Sequence, residues 1–290
     1  MSKPSILFFP GSFVLVSLYQ PIFDAVSEAG YEIKGIHPPS VGPSSRQGRD
    51  GPAPSMYDDA VMVAQEAERL ADQGKDVIII AHSYGGVPVS QAPRGLGKDE
   101  RKAQGKPGGV VRLAYMTCLV PAIGKSAMDV LSSMPESKPP STSIDVNKYP
   151  LTQGPLLTLK SVCLTFLLLS QENGWALQED PAGTARLILQ HLSPEEGEAI
   201  VRDFAKHSAT CFVNELTYAG YKDIPVSYLV CEDDLIGSPE MQRAGIDMIE
   251  RVSGRKVDVT SIKSGHCPNL AAKKETIDWI LSVAKKAQES

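Results

Sequence analysis

The sequence predicts an α/β fold in which a mainly parallel sheet is flanked by helices and carries an inserted helical cap. Strand-like apolar runs alternate with helical patterns over residues 1–121 and 223–290, which are assigned to the core. Residues 77–80 are continuously apolar and β-branched, as in a strand that is buried on both faces. Residues 122–222 begin with a Ser- and Pro-rich stretch and then lack a run suited to the sheet, so they are assigned to the cap.

The core elements follow from apolar periodicity and from Gly and Pro positions. Residues 37–55, rich in Pro, Gly and Ser, are predicted to be a loop. Residues 94–109 are basic and bear glycines, and we expect a solvated connection there. A phosphate site is the less favoured alternative, because the glycines and lysines lack the P-loop order. In chain order, strands are predicted at 6–9, 31–36, 77–80, 110–116, 225–231 and 256–262, and helices at 21–29, 56–73, 239–252 and from 269 onward.

Ser83 lies where the strand at 77–80 turns sharply into a helix, the arrangement of a nucleophile elbow. The residues two before and two after it, Ala81 and Gly85, are small, and we expect them to approach each other closely. The Tyr84 N–H lies at the start of the helix and can face negative charge on a carbonyl oxygen bound at Ser83. The Ser12 N–H, in the turn after the first strand, is the candidate second donor. The alternative is an ordinary strand–turn–helix connection with an incidental serine.

Acid and base candidates follow later strands. Parallel sheets gather functional groups at the carboxyl ends of their strands. Ser83, an aspartate at 233 or 234, and His266 each lie at such an end. A serine nucleophile needs a base within hydrogen-bond reach, and the imidazole needs a carboxylate to fix its tautomer. The acids as solvated strand-end groups and His266 as a loop residue are the simpler alternatives, and the conjunction of all three favours a catalytic triad.

The chain resembles the α/β-hydrolase superfamily, and within it the branch of plant esterases and hydroxynitrile lyases. The resemblance runs over nearly the whole length and is strongest to fungal members with H-S-Y-G-G, here residues 82–86. Residues 10–13, 228–234 and 264–266 also match. Hydroxynitrile lyases typically have Thr at the position of Gly11 and Lys at that of Cys267, so the comparison favours hydrolysis over cyanohydrin cleavage.

The same resemblance selects the acid. In the family, the acid is commonly the last residue of a C-x-x-D segment and is followed about eight positions later by Gln. Asp234 satisfies both conditions, with Cys231 three residues before it and Gln242 eight after, and Asp233 is the second choice.

The resemblance implies a serine hydrolase that cleaves a carboxylic ester or lactone of a small, partly apolar molecule through an acyl-serine intermediate. Catalytic residues would be Ser83, His266 and Asp234, with Ser12 and Tyr84 as the oxyanion hole and with no cofactor or metal. Fungal secondary metabolism is an expected setting. The alternatives are a lyase, cyclase or dehydratase that uses the triad for acid–base chemistry, and a ligand receptor.

Composition limits the partners and the compartment. The 29 basic and 34 acidic residues give a net charge of −5 with no basic block, so we expect no nucleic-acid or membrane partner. The five cysteines lack C-x-x-C pairing and are expected to be free thiols. No signal peptide is evident and the apolar stretch at 156–169 is too short to span a bilayer, so a cytoplasmic location is expected. The oligomeric state is left open, a homodimer included.

Three other histidines, His82, His191 and His207, are expected to be structural or surface residues.

Overall fold

The computed structural model describes residues 3–133 and 173–289. Its strands are β1 (Ser5–Phe9), β2 (Ile33–Gly35), β3 (Asp76–His82), β4 (Gly109–Met116), β5 (Trp175–Ala176), β6 (His207–Ser208), β7 (Val226–Cys231) and β8 (Asp258–Ile262). Six of them form one sheet in the order β2-β1-β3-β4-β7-β8, and every neighbouring pair is parallel. The short strands β5 and β6 form a separate antiparallel pair.

Helices cover both faces of the sheet, as the alternating sequence pattern predicts. The helices are α1 (Gln20–Glu28), α2 (Met56–Asp72), α3 (Gly86–Gln91), α4 (Lys98–Ala103), α5 (Ala127–Ser132), α6 (Pro181–Ile188), α7 (Pro194–Arg202), α8 (Pro239–Ser253), α9 (Pro268–Ala271) and α10 (Lys273–Glu289). Apolar side chains of α2, α3 and α8 pack on one face, and those of α1 and α10 pack on the other. The α/β fold class is thereby confirmed.

Strand β3 lies at the centre of the sheet between β1 and β4. Its residues from Val77 to His82 are all buried, which confirms the prediction of a strand covered on both faces. Strand β3 leads directly into a short 3-10 turn, Ser83–Gly85, and then into α3. This connection brings Ser83 to the carboxyl edge of the sheet.

Helix α2 begins at a capping box. The Ser55 side chain accepts from the Asp58 N–H, and the Asp58 carboxylate accepts from the Ser55 N–H, so two otherwise unpaired donors are satisfied. The next residue, Asp59, does not face solvent, because its side chain is fully buried. This inward carboxylate becomes part of the site described below.

The prediction of a solvated loop over 94–109 is wrong in its middle, where α4 forms. The Arg101 side chain in this helix is fully buried. Its guanidinium donates to Asp72 Oδ1 at 2.6 Å and to the Pro107 carbonyl oxygen at 3.1 Å, and the salt bridge and carbonyl compensate for the loss of water. The basic residues in this segment therefore include a structural arginine.

The predicted cap, 122–222, is described only in part, because residues 134–172 lie outside the described residues. The apolar stretch at 156–169 and Cys163 belong to that portion. The described part contains helices α5 to α7 and the β5–β6 pair, which is separate from the main sheet. The other four cysteines are free thiols, and no helix among the described residues has the length and hydropathy needed to cross a bilayer.

Candidate active site

Three strand ends bring the predicted triad together. Ser83 follows β3 directly, Asp234 follows the end of β7, and His266 lies in the loop after β8. The His266 Nε2 atom lies 2.8 Å from Ser83 Oγ, and its Nδ1 atom lies 2.8 Å from Asp234 Oδ2. All three side chains are buried, so these contacts form in a medium where hydrogen bonds are electrostatically strong.

Of the two candidate acids, Asp234 is the one in contact with His266. Its second carboxylate oxygen, Oδ1, accepts hydrogen bonds from the backbone N–H groups of Ile236 and Gly237 at 2.8 and 2.9 Å. Asp233 is half exposed and lies 3.9 Å from His191, away from the triad. The two backbone donors fix the orientation of the Asp234 carboxylate, so its other oxygen, Oδ2, is held toward the imidazole.

Gln242 explains why a glutamine follows the acid at this spacing. Its side chain is buried in α8, and its Oε1 accepts from the Cys231 N–H at 3.1 Å. Its Nε2 donates to the carbonyl oxygens of Cys231 and Gly237 at 3.1 and 2.6 Å. One amide thus ties the end of β7 to the turn that carries Asp234.

The elbow at Ser83 is strained. Ser83 has a φ of 53°, a left-handed conformation that non-glycine residues seldom adopt and that occurs at functional sites. The close approach of Ala81 to Gly85 stays a prediction, and other atoms already require a small residue at 85. A Cβ on Gly85 would lie 2.8 Å from the Pro10 carbonyl oxygen and 3.0 Å from that of Phe9. The crowding that requires glycine therefore comes from the end of β1, and these two residues, rather than Ala81, provide the nearest atoms.

The two predicted oxyanion residues line the same cavity as Ser83 and His266. Ser12 lies in the turn after β1, and Tyr84 follows the serine. Phe13, next to Ser12, has a φ of 65°, so the backbone on this side of the cavity is also in a rare conformation. The structure places Ser12 and Tyr84 in one cavity with Ser83, and their role as oxyanion donors stays a prediction.

Comparison with known proteins now decides the family. The sequence model of the alpha/beta hydrolase family matches residues 6–279. The chain belongs to this family.

Individual relatives agree with this assignment. A probable hydrolase, R7, from a Phoma species is 28% identical over 284 residues, which cover 98% of this chain and 99% of the relative. A pyrethroid hydrolase from Sphingobium faniae superposes with a TM-score of 0.69 at 17% identity over 100% of both chains. Polyneuridine aldehyde esterase superposes with a TM-score of 0.64 at 14% identity, over 98% of this chain and 100% of its own. The predicted resemblance to fungal members is thereby confirmed, and the likeness to polyneuridine aldehyde esterase shows a shared fold.

The cavity of this alpha/beta hydrolase is lined by a few polar residues and by many apolar ones. The polar residues include Ser83, His266, the two predicted oxyanion residues, Gln178 and Thr184. Thr184 Oγ1 donates to Gln178 Oε1 at 3.0 Å. The apolar walls are formed by Phe13, Val14, Leu119, Met128, Leu131, Ile188, Phe204, Phe212 and Ile236. Such a cavity suits an apolar molecule with a polar reacting group.

A buried polar cluster lies beneath Tyr84 and was not predicted. The Asp59 carboxylate accepts from Tyr84 Oη at 2.9 Å, from Ser40 Oγ at 2.6 Å and from the Ser40 N–H at 3.0 Å. Ser40 Oγ also lies 3.1 Å from His207 Nε2. Burial raises the pKa of Asp59 to about 6 and lowers that of His207 to about 3. His207 is thus a structural residue with a hydrogen-bond partner in Ser40, and nothing in the amino-acid sequence indicates this contact.

His82, the residue before Ser83, is likewise structural rather than exposed. It is buried, and both of its ring nitrogens have hydrogen-bond partners. His191 is the surface histidine of the three. Across residues 3–133 and 173–289, no group of three or more His, Cys, Asp or Glu side chains is arranged to hold a metal ion.

Proposed function

We propose that this hydrolase cleaves a carboxylic ester or lactone of a small, partly apolar molecule through an acyl-Ser83 intermediate. The observation that carries the proposal is the continuous hydrogen-bonded series Asp234–His266–Ser83, with both contacts at 2.8 Å. The apolar cavity supports the partly apolar substrate. The resemblance to fungal members supports a setting in secondary metabolism.

The mechanism follows from the contacts. His266 Nε2 takes the Ser83 hydroxyl proton as Oγ attacks the carbonyl carbon, and the oxyanion is held by the Ser12 and Tyr84 N–H groups. His266 then gives the proton to the leaving alkoxide, and the alcohol departs. Water, deprotonated by His266, attacks the acyl-enzyme. The bond to Ser83 Oγ then breaks, His266 gives its proton to that oxygen, and the acid departs. Asp234 stabilises the imidazolium that forms in each step.

Ser83 is also the least ambiguous position for a test. Wild type should form one covalent adduct with a fluorophosphonate probe, measured as intact mass, and should hydrolyse a short-chain nitrophenyl ester. Ser83→Ala should lose both. Ser282→Ala, which removes an exposed hydroxyl from α10, is the matched control and should keep both.

The proposal fails if wild type neither forms the adduct nor turns over the ester. Acid–base chemistry without an acyl-enzyme, as in a lyase or cyclase, would then take its place. Adduct formation that persists in Ser83→Ala would place the reactive nucleophile elsewhere.

A further inference from the structure

The imidazole of His82, the last residue of β3, lies between the Tyr19 hydroxyl and the backbone of His266. Its Nδ1 atom is 2.6 Å from Tyr19 Oη, and its Nε2 atom is 2.8 Å from the His266 carbonyl oxygen. Tyr19 Oη in turn lies 3.2 Å from the Gly11 backbone nitrogen. Tyr19 and His82 are both buried. These contacts link Gly11, which precedes Ser12, through Tyr19 to His82, which precedes Ser83. His82 in turn contacts the backbone of His266, the proposed base.

The direction of each hydrogen bond is determined by its partners. A carbonyl oxygen only accepts, so His82 Nε2 carries a proton and donates it to His266. Burial and the neighbouring His266 lower the pKa of His82 to about 3, so the ring is neutral and its Nδ1 accepts. The Tyr19 hydroxyl is therefore the donor to Nδ1. Its oxygen remains free to accept from the Gly11 N–H.

The surrounding atoms leave this arrangement little room to shift. A Cβ on Gly11 would lie 3.0 Å from His82 Nδ1, so the loop backbone packs directly against the ring. Thr117 Oγ1 also donates to the His266 carbonyl oxygen, at 3.1 Å. The Tyr19 ring packs against Phe8, with ring centres 4.7 Å apart. The hydrogen bonds are thus held in a packed environment.

We propose that Tyr19 and His82 are positioning residues that fix the separation between the oxyanion loop and His266 across the nucleophile. We call Gly11, Tyr19, His82 and the His266 carbonyl the His82 brace. The inference rests on the proposed function, because it assigns the brace a role in acyl transfer. Neither side chain is required to touch the substrate carbonyl for this role.

The primary variant is Tyr19→Phe. It removes the hydroxyl, keeps the aromatic packing, and leaves the Gly11 N–H and His82 Nδ1 without their partner. A misplaced donor or base weakens interactions made mainly in the transition state, so kcat for a nitrophenyl ester should fall about tenfold while KM stays nearly constant. The rate of fluorophosphonate labelling at Ser83 should fall in parallel.

The matched control is Tyr221→Phe. Tyr221 is also buried, and its hydroxyl donates to the Pro121 carbonyl oxygen at 2.9 Å, so the same atom and one hydrogen bond are removed away from the brace. It should lower the urea midpoint of unfolding, by less than Tyr19→Phe because one hydrogen bond is lost and not two, and it should leave kcat unchanged. A merely structural role for Tyr19 would predict equal effects of the two variants on kcat.

A second pair of variants tests the other half of the brace. His82→Gln keeps an amide donor within reach of the His266 carbonyl, whereas His82→Phe removes both hydrogen bonds. We expect kcat to fall about a hundredfold in His82→Phe and distinctly less in His82→Gln. Histidine ¹⁵N NMR of the wild type should show a neutral ring at residue 82 with its proton on Nε2.

The outcomes separate the two proposals. If wild type labels and turns over while Tyr19→Phe matches Tyr221→Phe in kcat, the positioning role is wrong and the proposed function stands. A ring at His82 with its proton on Nδ1 would also overturn the brace. If wild type shows no labelling and no turnover, the acyl-transfer function is overturned, and the catalytic role of the brace with it.

Discussion

The buried carboxylate of Asp59 predicts a dependence of stability on pH that one substitution can isolate. Its side chain is fully buried, and burial raises its pKa from 3.8 to about 6 despite the hydrogen bonds from Ser40 and Tyr84. The folded protein therefore binds a proton at Asp59 at a higher pH than the unfolded chain does. The contribution of Asp59 to the free energy of unfolding is greatest below about pH 4 and is lost as the pH rises through about 6.

The size of this contribution follows from the two pKa values. Between pH 7 and pH 4.5 it should increase by about 2 kcal/mol, and the full difference in pKa corresponds to about 3 kcal/mol. His82 and His207 act in the opposite direction. Burial lowers each pKa to about 3, so both rings stay neutral in the fold and the stability they contribute is lost as the pH falls below about 6.5. The free energy of unfolding of wild type alone therefore reports the sum of the opposing contributions of Asp59 and the two histidines.

The Asp59→Asn variant separates the contribution of Asp59 from those of the histidines, because an amide does not titrate in this range. Urea unfolding of wild type and variant should be measured from pH 7 to pH 4.5. The free energy of unfolding of wild type minus that of Asp59→Asn should rise by about 2 kcal/mol as the pH falls. Asp247→Asn, which removes an exposed carboxylate from α8, controls for the change in net charge. A difference that stays constant, or that shrinks on acidification, would refute the reasoning.

Two further substitutions test the site geometry. Asp234→Asn should lower kcat for a nitrophenyl ester by about 10⁴-fold, because an amide does not hold the imidazole in the required tautomer, whereas Asp233→Asn should stay close to wild type; equal losses in steady-state kinetics would contradict the assignment of the acid. Gly85→Ala should lower the free energy of unfolding by about 1–3 kcal/mol through contact with the end of β1. The control is Gly245→Ala in α8, where a Cβ would meet open space, and it should raise the free energy of unfolding by about 0.5–1 kcal/mol in the same urea titration. A Gly85→Ala protein as stable as wild type would contradict the prediction and show that the backbone at the end of β1 shifts to make room.

The parts of the site that follow a strand directly could be predicted from sequence. Ser83 and Asp234 come after β3 and β7, which are apolar runs whose burial the pattern already indicates, and His266 comes after β8, which is partly exposed. Parallel strands place their carboxyl ends along one edge. The choice of Asp234 needed the family resemblance, because periodicity cannot separate adjacent residues at a strand end. The structure supplies the physical counterpart, a carboxylate fixed by two backbone N–H groups.

The supporting contacts could not be predicted, because they join residues far apart in the chain. Tyr19 and His82 are 63 residues apart, and His82 and His266 are 184 apart. Ser40 lies in a segment whose composition indicates only a loop, yet its partner His207 is 167 residues away. A single sequence carries no signal for such pairs. The prediction of a solvated connection over 94–109 fails at Arg101 for a related reason. A charged side chain is expected to face solvent, and only its contacts with Asp72 and with the Pro107 carbonyl show why this one is buried.

The contrast between the two histidines near Ser83 explains why the more distant one in sequence is suited to be the base. The rings of His82 and His266 are 5.2 Å apart. His82 directs both nitrogens to uncharged partners, and burial lowers its pKa to about 3. Taking up a proton at Nδ1 would remove the acceptor for the Tyr19 hydroxyl and charge a buried ring whose two hydrogen-bond partners are uncharged. His266 faces the Asp234 carboxylate with one nitrogen and the Ser83 hydroxyl with the other. One ring is therefore arranged to accept the serine proton, and its neighbour is arranged to stay neutral and hold the backbone of the first.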